Sequence, residues 1–132
     1  MAHRPLFAGL AGLGLASLAM VAGPATAAAP NASTDSADAP RNEVRALNLA
    51  RNEAIRINGG LTVYRPASCM FTTSAPSNPC LIRSDAKGFV YRFRGGVPGW
   101  ETNRIAPSTE TEIRISSDGR SLVKVIYNGV PR

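Results

Sequence analysis

The sequence predicts an α+β domain in which one N-terminal amphipathic helix packs on a roughly four-stranded, mainly antiparallel sheet. Apolar residues recur at intervals of three and four up to residue 58, and at intervals of two in later segments, which indicates a helix followed by strands. The chain has 132 residues and is 44% hydrophobic, which suits one globular core. We expect residues 41–132 to form this domain, preceded by a leader over residues 1–27 and a flexible spacer over residues 28–40.

Residues 1–27 have the order of a secretory signal peptide. A charged start that includes Arg4 precedes an uncharged, largely apolar stretch, and Ala25-Thr26-Ala27 supplies the small residues that a signal peptidase requires. The alternative is an uncleaved anchor, because about 18 uncharged residues can just span a bilayer. We expect a secreted or periplasmic protein with no membrane span after cleavage. Its sole histidine, His3, leaves with the leader, and residues 28–40 contain no large apolar side chain that would order them.

The helix is predicted over residues 41–58. Its apolar positions form one stripe at helical spacing. The stripe consists of Val44, Leu47, Ala50, Ala54, Ile57 and Leu61, and the polar residues facing away are Arg45, Asn48, Asn52 and Arg56. Asn58-Gly59-Gly60 predicts the end of the helix, because glycine adopts the left-handed conformation there without steric cost. We expect the two small alanines to bring the helix close to the sheet.

Four later segments alternate between apolar and polar residues, as strands do. They are Leu61–Arg65, Phe89–Arg94, Thr109–Ser116 and Ser121–Tyr127. The second segment places three aromatic residues on one face and its two arginines on the other. We expect the helix to cover the apolar faces of these strands. Those faces carry Phe89, Tyr91, Phe93, Ile113, Ile115, Val123 and Val125.

The last two strands are expected to form a hairpin through Ser117-Asp118-Gly119. A turn closed by glycine in the left-handed position makes a three-residue loop and pairs the residues that flank it. Counting outward, Ile113 then faces Val123, and Glu112 faces Lys124. A two-residue loop would set Ile113 beside Lys124 and mix the core and solvent faces of the sheet.

Cys69 and Cys80 enclose a loop rich in Thr, Ser, Pro and Asn. In an oxidising compartment two such cysteines form a disulfide, which a domain this small needs to supplement its core. The alternative is a reactive thiol or a metal-binding pair. The two cysteines lack C-x-x-C spacing, and no histidine remains after cleavage to serve as a partner, so we expect a structural disulfide.

The loss of imidazole excludes Ser-His-Asp and Cys-His catalysis and histidine-ligated zinc. The acidic residues of the domain show no metal-loop spacing. We therefore predict no catalytic residue, no metal ion and no cofactor. Glu110 and Glu112, two positions apart on one strand face, are the one pair that suits a glycosidase, which needs two nearby carboxylates. Their other interpretation is an exposed strand face with ordinary charge pairing.

Arginine is the unusual feature of the composition. From residue 41 onward the chain carries more than one cation for each Asp or Glu, and nearly all of them are arginine. Four cations are predicted to share the sheet face that turns away from the helix, and they form the candidate anion-binding set. They are Arg92, Arg94, Arg114 and Lys124. Planar guanidinium groups suit phosphate, sulfate and carboxylate partners, and the alternative is that this face serves solubility alone.

Trp100 is the candidate contact residue. It follows the glycine-rich segment Gly95-Gly96-Val97-Pro98-Gly99, which carries no G-K-[ST] sequence and is therefore not predicted to bind phosphate. A tryptophan presented at a loop tip would anchor a partner. Alternatively, its indole covers the edge of the sheet as a lid on the core.

The folded part of the chain contains several different turn motifs. They are Asn58-Gly59-Gly60-Leu61, Tyr64-Arg65, Phe93-x-Gly95-Gly96-x-Pro98-Gly99 and Tyr127-Asn128-Gly129. With these motifs the chain resembles small secreted cyanobacterial proteins of unknown function over roughly residues 45–132, a resemblance that implies structural turns and no catalytic residue. A helix followed by strand–turn–strand with Asp118-Gly119 is similar, more distantly, to the PepSY and cystatin-like arrangement, whose members often restrain proteases.

These features predict a secreted, non-catalytic binding or structural module of the cell envelope that contacts anionic ligands through its arginine-bearing sheet face. The alternative function is a regulator or inhibitor that docks an envelope protease, and the third is an unrecognised hydrolase. The expected partner is an anionic envelope polymer or an acidic protein. Nucleic acid is a poorer candidate outside the cell, although the charge alone permits weak, salt-sensitive binding.

Overall fold

A computed structural model of the chain describes residues 33–73 and 77–132. The elements in chain order are helix α1 (Ser33–Ile57), strand β1 (Arg65–Pro66), a short 3₁₀ helix (Ser68–Phe71), and strands β2 (Leu81–Asp85), β3 (Gly88–Gly96), β4 (Thr109–Ile115) and β5 (Leu122–Gly129). The predicted α+β class, with one helix packed on a mostly antiparallel sheet, is confirmed. The signal peptide predicted over residues 1–27 lies outside the described residues, as do residues 28–32 of the spacer.

The sheet has five strands, and β3 lies at its centre. Along one edge of β3 run β2 and then β1, while β4 pairs with its other edge and β5 follows outside β4. All of these pairings are antiparallel. Because β3 and β4 pair over seven residue pairs, from Phe89 with Ile115 to Gly95 with Thr109, their alternating faces are in strict register.

The core lies between α1 and one face of β3 and β4. Ala46, Ala50 and Ala54 of the helix are fully buried there. The strand residues of this core include the three aromatic residues of β3 together with Ile113 and Ile115, as the alternation predicts. Each isoleucine buried in this way contributes about 1.5–3 kcal/mol through removal of its side chain from water.

A polar contact also joins the helix to the centre of the sheet. The hydroxyl of Tyr91 donates a hydrogen bond of 3.0 Å to the backbone carbonyl of Glu43. Burial raises the pKa of Tyr91 far above the usual tyrosine range, and the carboxylate of Glu43 adds to this shift. The phenol therefore stays protonated, as its role as a donor requires.

The helix differs from the prediction at its start, whereas its end at Ile57 agrees with the predicted stop at Asn58-Gly59-Gly60. It begins at Ser33 instead of Arg41, so residues 33–40 are helical and do not belong to a flexible spacer. It ends before Leu61, because Gly59 and Gly60 adopt φ values of 95° and 93° and turn the chain away from the helix. Leu61 is consequently 49% exposed instead of completing the apolar stripe.

One residue predicted to face away from the core also has a different place. Arg45 is half-buried, and its guanidinium donates a hydrogen bond of 3.0 Å to the backbone carbonyl of Asp118 in the β4–β5 turn. The turn itself lies close to the helix, since a Cβ atom at Gly119 would overlap the carbonyl oxygen of Asn42. Arg45 therefore ties the hairpin tip to α1.

The first strand is shorter than predicted, and one strand was not predicted. Residues 61–63 form a turn, in which the amide of Val63 donates to the carbonyl of Gly60 over 3.2 Å, so only Arg65–Pro66 pairs with β3. Strand β2 escaped prediction because Leu81–Asp85 does not alternate: its last four residues are all exposed. Pairing with β3, and not an apolar face of its own, makes it a strand.

The hairpin turn is confirmed, but the predicted register is wrong. Gly119 has φ 72° as the turn requires, whereas Ile113 pairs with Val125 instead of Val123. The register shifts twice along the β4–β5 ladder because β5 carries extra residues that bulge out of the pairing. Val123 is therefore 54% exposed, and the predicted cross-strand pair of Glu112 with Lys124 does not form.

The predicted disulfide between Cys69 and Cys80 is present, with Cα atoms 6.0 Å apart. It joins the 3₁₀ helix to the start of β2, and hydrogen bonds hold the same region. The side-chain amide of Asn78 donates to the carbonyl of Cys69 over 2.8 Å, and Arg51 of α1 donates to the carbonyl of Met70 over 3.1 Å. The two ends of the disulfide-bonded loop are thus fixed to the helix and to the sheet.

The packing of Tyr64 on β3 gives a test of this fold. The buried ring of Tyr64 lies directly against Gly95, where a Cβ atom would overlap it. We expect Gly95→Ala to lower the free energy of unfolding by about 1–3 kcal/mol through overpacking. At neighbouring Gly96 a Cβ would lie 3.2 Å from Cγ of half-buried Trp100, so Gly96→Ala should cost less. Urea unfolding of both variants checks this order, and an equal or reversed cost would contradict the packing.

Candidate anion-binding face

The sheet face that turns away from α1, here called the outer face, collects the charged residues of β3 and β4. Alternation along each strand places every residue between two core residues on this face. Pairing adds Arg83 of β2, which lies opposite Val90, and Lys124 of β5, which lies opposite Arg114. All four predicted anion-binding residues therefore share one face. The charged residues of the outer face are Arg83, Asp85, Arg92, Arg94, Glu110, Glu112, Arg114 and Lys124.

Two of the outer-face charges, the carboxylates of Glu110 and Glu112, are held by arginines. Arg92 donates from Nε and pairs through Nη2 with Oε2 of Glu112, both at 3.0 Å. Arg132 donates from Nη2 to Oε1 of Glu110 at 3.1 Å and to Oε2 of Glu112 at 3.0 Å. The two carboxylate side chains are only 7% and 11% exposed. Arg92 is therefore part of an ion-pair network and is less available to a ligand than predicted.

Arg132 is the member of this network that the sequence did not indicate. Its backbone amide also donates to Glu110, over 3.2 Å, and its guanidinium lies 3.8 Å from the centre of the Tyr127 ring. Tyr127 in turn donates its hydroxyl to the carbonyl of Val130 over 2.6 Å. These contacts fold residues 130–132 back over the outer face. The sequence carried no signal for this contact, because Arg132 is 22 and 20 residues along the chain from Glu110 and Glu112.

The environment of Glu110 bears on the hydrolase hypothesis. Burial alone would raise the pKa of Glu110, but hydrogen bonds and charge from Arg132 outweigh burial and hold this pKa below its usual range. A glycosidase acid needs the opposite, a carboxyl whose pKa is raised so that it still carries its proton near neutrality. Glu110 is therefore arranged as a carboxylate that is ionised near neutrality and pairs with Arg132.

A second group of outer-face cations has no carboxylate between its members. Arg83, Arg114 and Lys124, here called the basic row, line up across the sheet, with Val90 of β3 between the two arginines. None of the three forms an ion pair with any residue that the structure describes. Val90 is only 3% exposed on this solvent face, as expected where the aliphatic stems of neighbouring arginines cover it.

The basic row places like-charged residues next to each other on adjacent strands. Arg114 and Lys124 are directly opposite each other in an antiparallel pair, where Cβ atoms are about 4.5–5.5 Å apart. Like charges at such positions destabilise a sheet. Arg83 was not among the predicted site residues, because its strand lacks the alternation that would have placed it on this face.

A pocket of about 690 Å³ opens at the other end of the outer face. We call it the tryptophan pocket. It is lined by Ala67, Arg92, Phe93, Arg94, Trp100, Glu110 and Arg132. Three guanidinium groups thus surround one carboxylate and one indole ring, which gives the pocket a positive lining with an apolar wall.

Trp100 is fixed at the edge of the sheet. Its indole Nε1 donates a hydrogen bond of 3.0 Å to the carbonyl of Arg65, and its ring lies against Gly96. The following residue, Glu101, accepts hydrogen bonds of 3.2 and 3.1 Å from the amide of Ser68 at the start of the 3₁₀ helix. The ring therefore covers the sheet edge, and the same ring also lines the tryptophan pocket.

The described residues, 33–73 and 77–132, contain neither a metal-ligand cluster nor a membrane-spanning helix. Among them no three His, Cys, Asp or Glu side chains are grouped as a metal ion would require. None of their helices is long and apolar enough to cross a membrane. The chain matches no known protein family, no curated protein and no solved structure in the comparisons made.

The contact of Glu110 with Arg132 predicts a defined pH dependence of stability. Because folding lowers the pKa of Glu110, this contact stabilises the fold above the pKa of the unfolded chain, about 4.3, and the stabilisation is lost as the pH falls through the folded value. Glu110→Gln should therefore lose less stability than the wild type between pH 5 and pH 2. Arg132→Gln should reduce the same loss of stability between pH 5 and pH 2, here called the acid limb. The double variant should reduce it no further than either single variant does. Urea unfolding across this range tests it, and an unchanged acid limb would contradict the ion pair.

Proposed function

We propose that the chain is a secreted or periplasmic, non-catalytic binding module of the cell envelope that holds anionic polymers on its outer face. The basic row is the observation that carries this proposal. Arg114 and Lys124 stand directly opposite each other, Arg83 completes the row, and no described carboxylate pairs with any of them. An anion bound over the row would relieve the repulsion among its three cations.

The chemistry of these side chains supports a polymeric anion. Arginine presents a planar fork of donors that matches carboxylate, sulfate and phosphate oxygens, and lysine adds a compact charge beside it. Three cations in a line across strands offer successive contacts to a chain that carries repeated charges. Binding of this kind is steered by the net charge, which is +6 for the whole chain, and it weakens steeply as salt rises.

The proposed location rests on separate features. The Cys69–Cys80 disulfide favours an oxidising compartment, since cytosolic reductants keep such thiols reduced. The order of residues 1–27, from a charged start to Ala25-Thr26-Ala27, is that of an export signal. A disulfide-stabilised basic domain exported from the cell meets the acidic polymers of the envelope first.

Charge reversal of the basic row tests the proposal. Arg114→Glu with Lys124→Glu should lower the affinity for dextran sulfate at least about tenfold at low salt, because two of the row's three cations become anions. The matched control is Arg41→Glu with Arg56→Glu, which changes the net charge equally on the helix, where both side chains are exposed. Retention on immobilised dextran sulfate across a salt series measures the effect, with circular dichroism confirming that each variant is folded.

Two results would contradict the outer face as the binding surface. One is equal loss of retention in both double variants, which would mean that only net charge matters. The other is retention of the Arg114→Glu, Lys124→Glu variant at the wild-type salt concentration. If the wild-type protein is not retained at low salt, the proposed function itself is wrong.

A further inference from the structure

We infer that the tryptophan pocket is a subsite for one carboxylate-bearing sugar ring of the bound polymer. This inference rests on the proposed function for the polymer and adds the class of its repeating unit. It depends on three observations: a guanidinium left without a carboxylate, an aromatic ring fixed in place, and a pocket of suitable size and charge.

Arg94 is the guanidinium that remains available. It lies directly opposite Glu110 across the β3–β4 ladder, the position where an ion pair would be expected. Glu110 is instead occupied by three hydrogen bonds from Arg132, and Arg94 forms no ion pair within the described part of the chain. Its exposed guanidinium is thus free to donate two parallel hydrogen bonds to a ligand carboxylate.

Trp100 supplies a rigid apolar wall next to this fork. The indole is held by its hydrogen bond to Arg65 and by contact with Gly96. Its loop is closed by backbone hydrogen bonds, including the amide of Asn103 to the carbonyl of Gly99 at 2.9 Å and the amide of Ile105 to the carbonyl of Trp100 at 2.8 Å. A ring ordered in advance loses little entropy on binding, and the C–H face of a sugar packs against such a ring.

The size and charge of the pocket favour a sugar acid. Its volume of about 690 Å³ lies within the range of small-molecule sites, about 300–1,000 Å³. Because Glu110 also lines the pocket, a singly charged carboxylate suits it better than a doubly charged phosphate. Arg94 is four residues along β3 from Val90, which lies between the two arginines of the basic row. This separation of about 13 Å is one that a short oligosaccharide spans. One polymer chain can therefore occupy both sites.

Trp100 is the single tryptophan of the chain, so its fluorescence reports directly on this pocket. We expect a trimer of galacturonic acid to change that fluorescence saturably, and Arg94→Gln to weaken the binding about tenfold through loss of a charge-assisted hydrogen bond. The matched control is Arg120→Gln, an exposed arginine next to the β4–β5 turn that does not line the pocket. The control should bind as the wild type does, and calorimetry on the same samples provides a second measure of affinity.

The outcomes separate this inference from the proposed function. The Arg114→Glu, Lys124→Glu variant should lose dextran sulfate retention yet still bind the trimer at Trp100. An equal response to a neutral galactose trimer, to inorganic sulfate, to triglutamate or to a short single-stranded DNA would overturn the sugar-acid subsite. Calorimetric binding of the trimer without a change in Trp100 fluorescence would also overturn it, because the ligand would then lie elsewhere. None of these results changes the outcome of the dextran sulfate experiment, which tests the proposed function independently.

Discussion

The packing of small helix residues on the aromatic face of β3 is the constraint on which the rest of the structure depends. Ala46, Ala50 and Ala54 have no side chain beyond a methyl group, so α1 lies close to the sheet and seals one face of β3 and β4. Strand geometry then forces every intervening residue to the opposite face. Charges that are scattered through the sequence, from Arg83 to Lys124, consequently meet on one surface.

That surface is divided by how its carboxylates are used. The carboxylates of Glu110 and Glu112 are held by Arg92 and Arg132, and they fix residues 130–132 across the sheet. Arg92 and Arg132 therefore contribute to the folded structure through these ion pairs. The cations beyond their reach, Arg94 and the basic row, keep their positive charge uncompensated in the described structure. Cross-strand pairing of Arg114 with Lys124 is expected to cost stability, and the core does not need this pair. This expected cost is the main reason for which we propose a ligand on this face.

Much of the fold, and part of the site, followed from local pattern. The helix stripe and the aromatic alternation of β3 were sufficient to predict the helix and the central strand. Both patterns are periodic, because one face of each element is buried. The register of β5 was not predictable, since two bulges each shift its pairing with β4 by one residue. The turn sequence does not specify where such bulges occur. The pairing of Arg132 with Glu110 spans 22 residues and depends on the folded path of the chain. Sequence alone therefore placed Arg92 and Arg114 on one face, but it did not distinguish the compensated cation from the uncompensated one.

The most direct measurement of this account is a double-mutant cycle between Arg114 and Lys124, with each residue changed to Gln singly and together and the free energy of unfolding measured at low salt. We expect the two native side chains to repel each other, with a coupling of about 0.2–1 kcal/mol that destabilises the fold. Added salt should reduce this coupling. A coupling of zero, or one that stabilises the native pair, would contradict the presence of an uncompensated row of cations on the outer face.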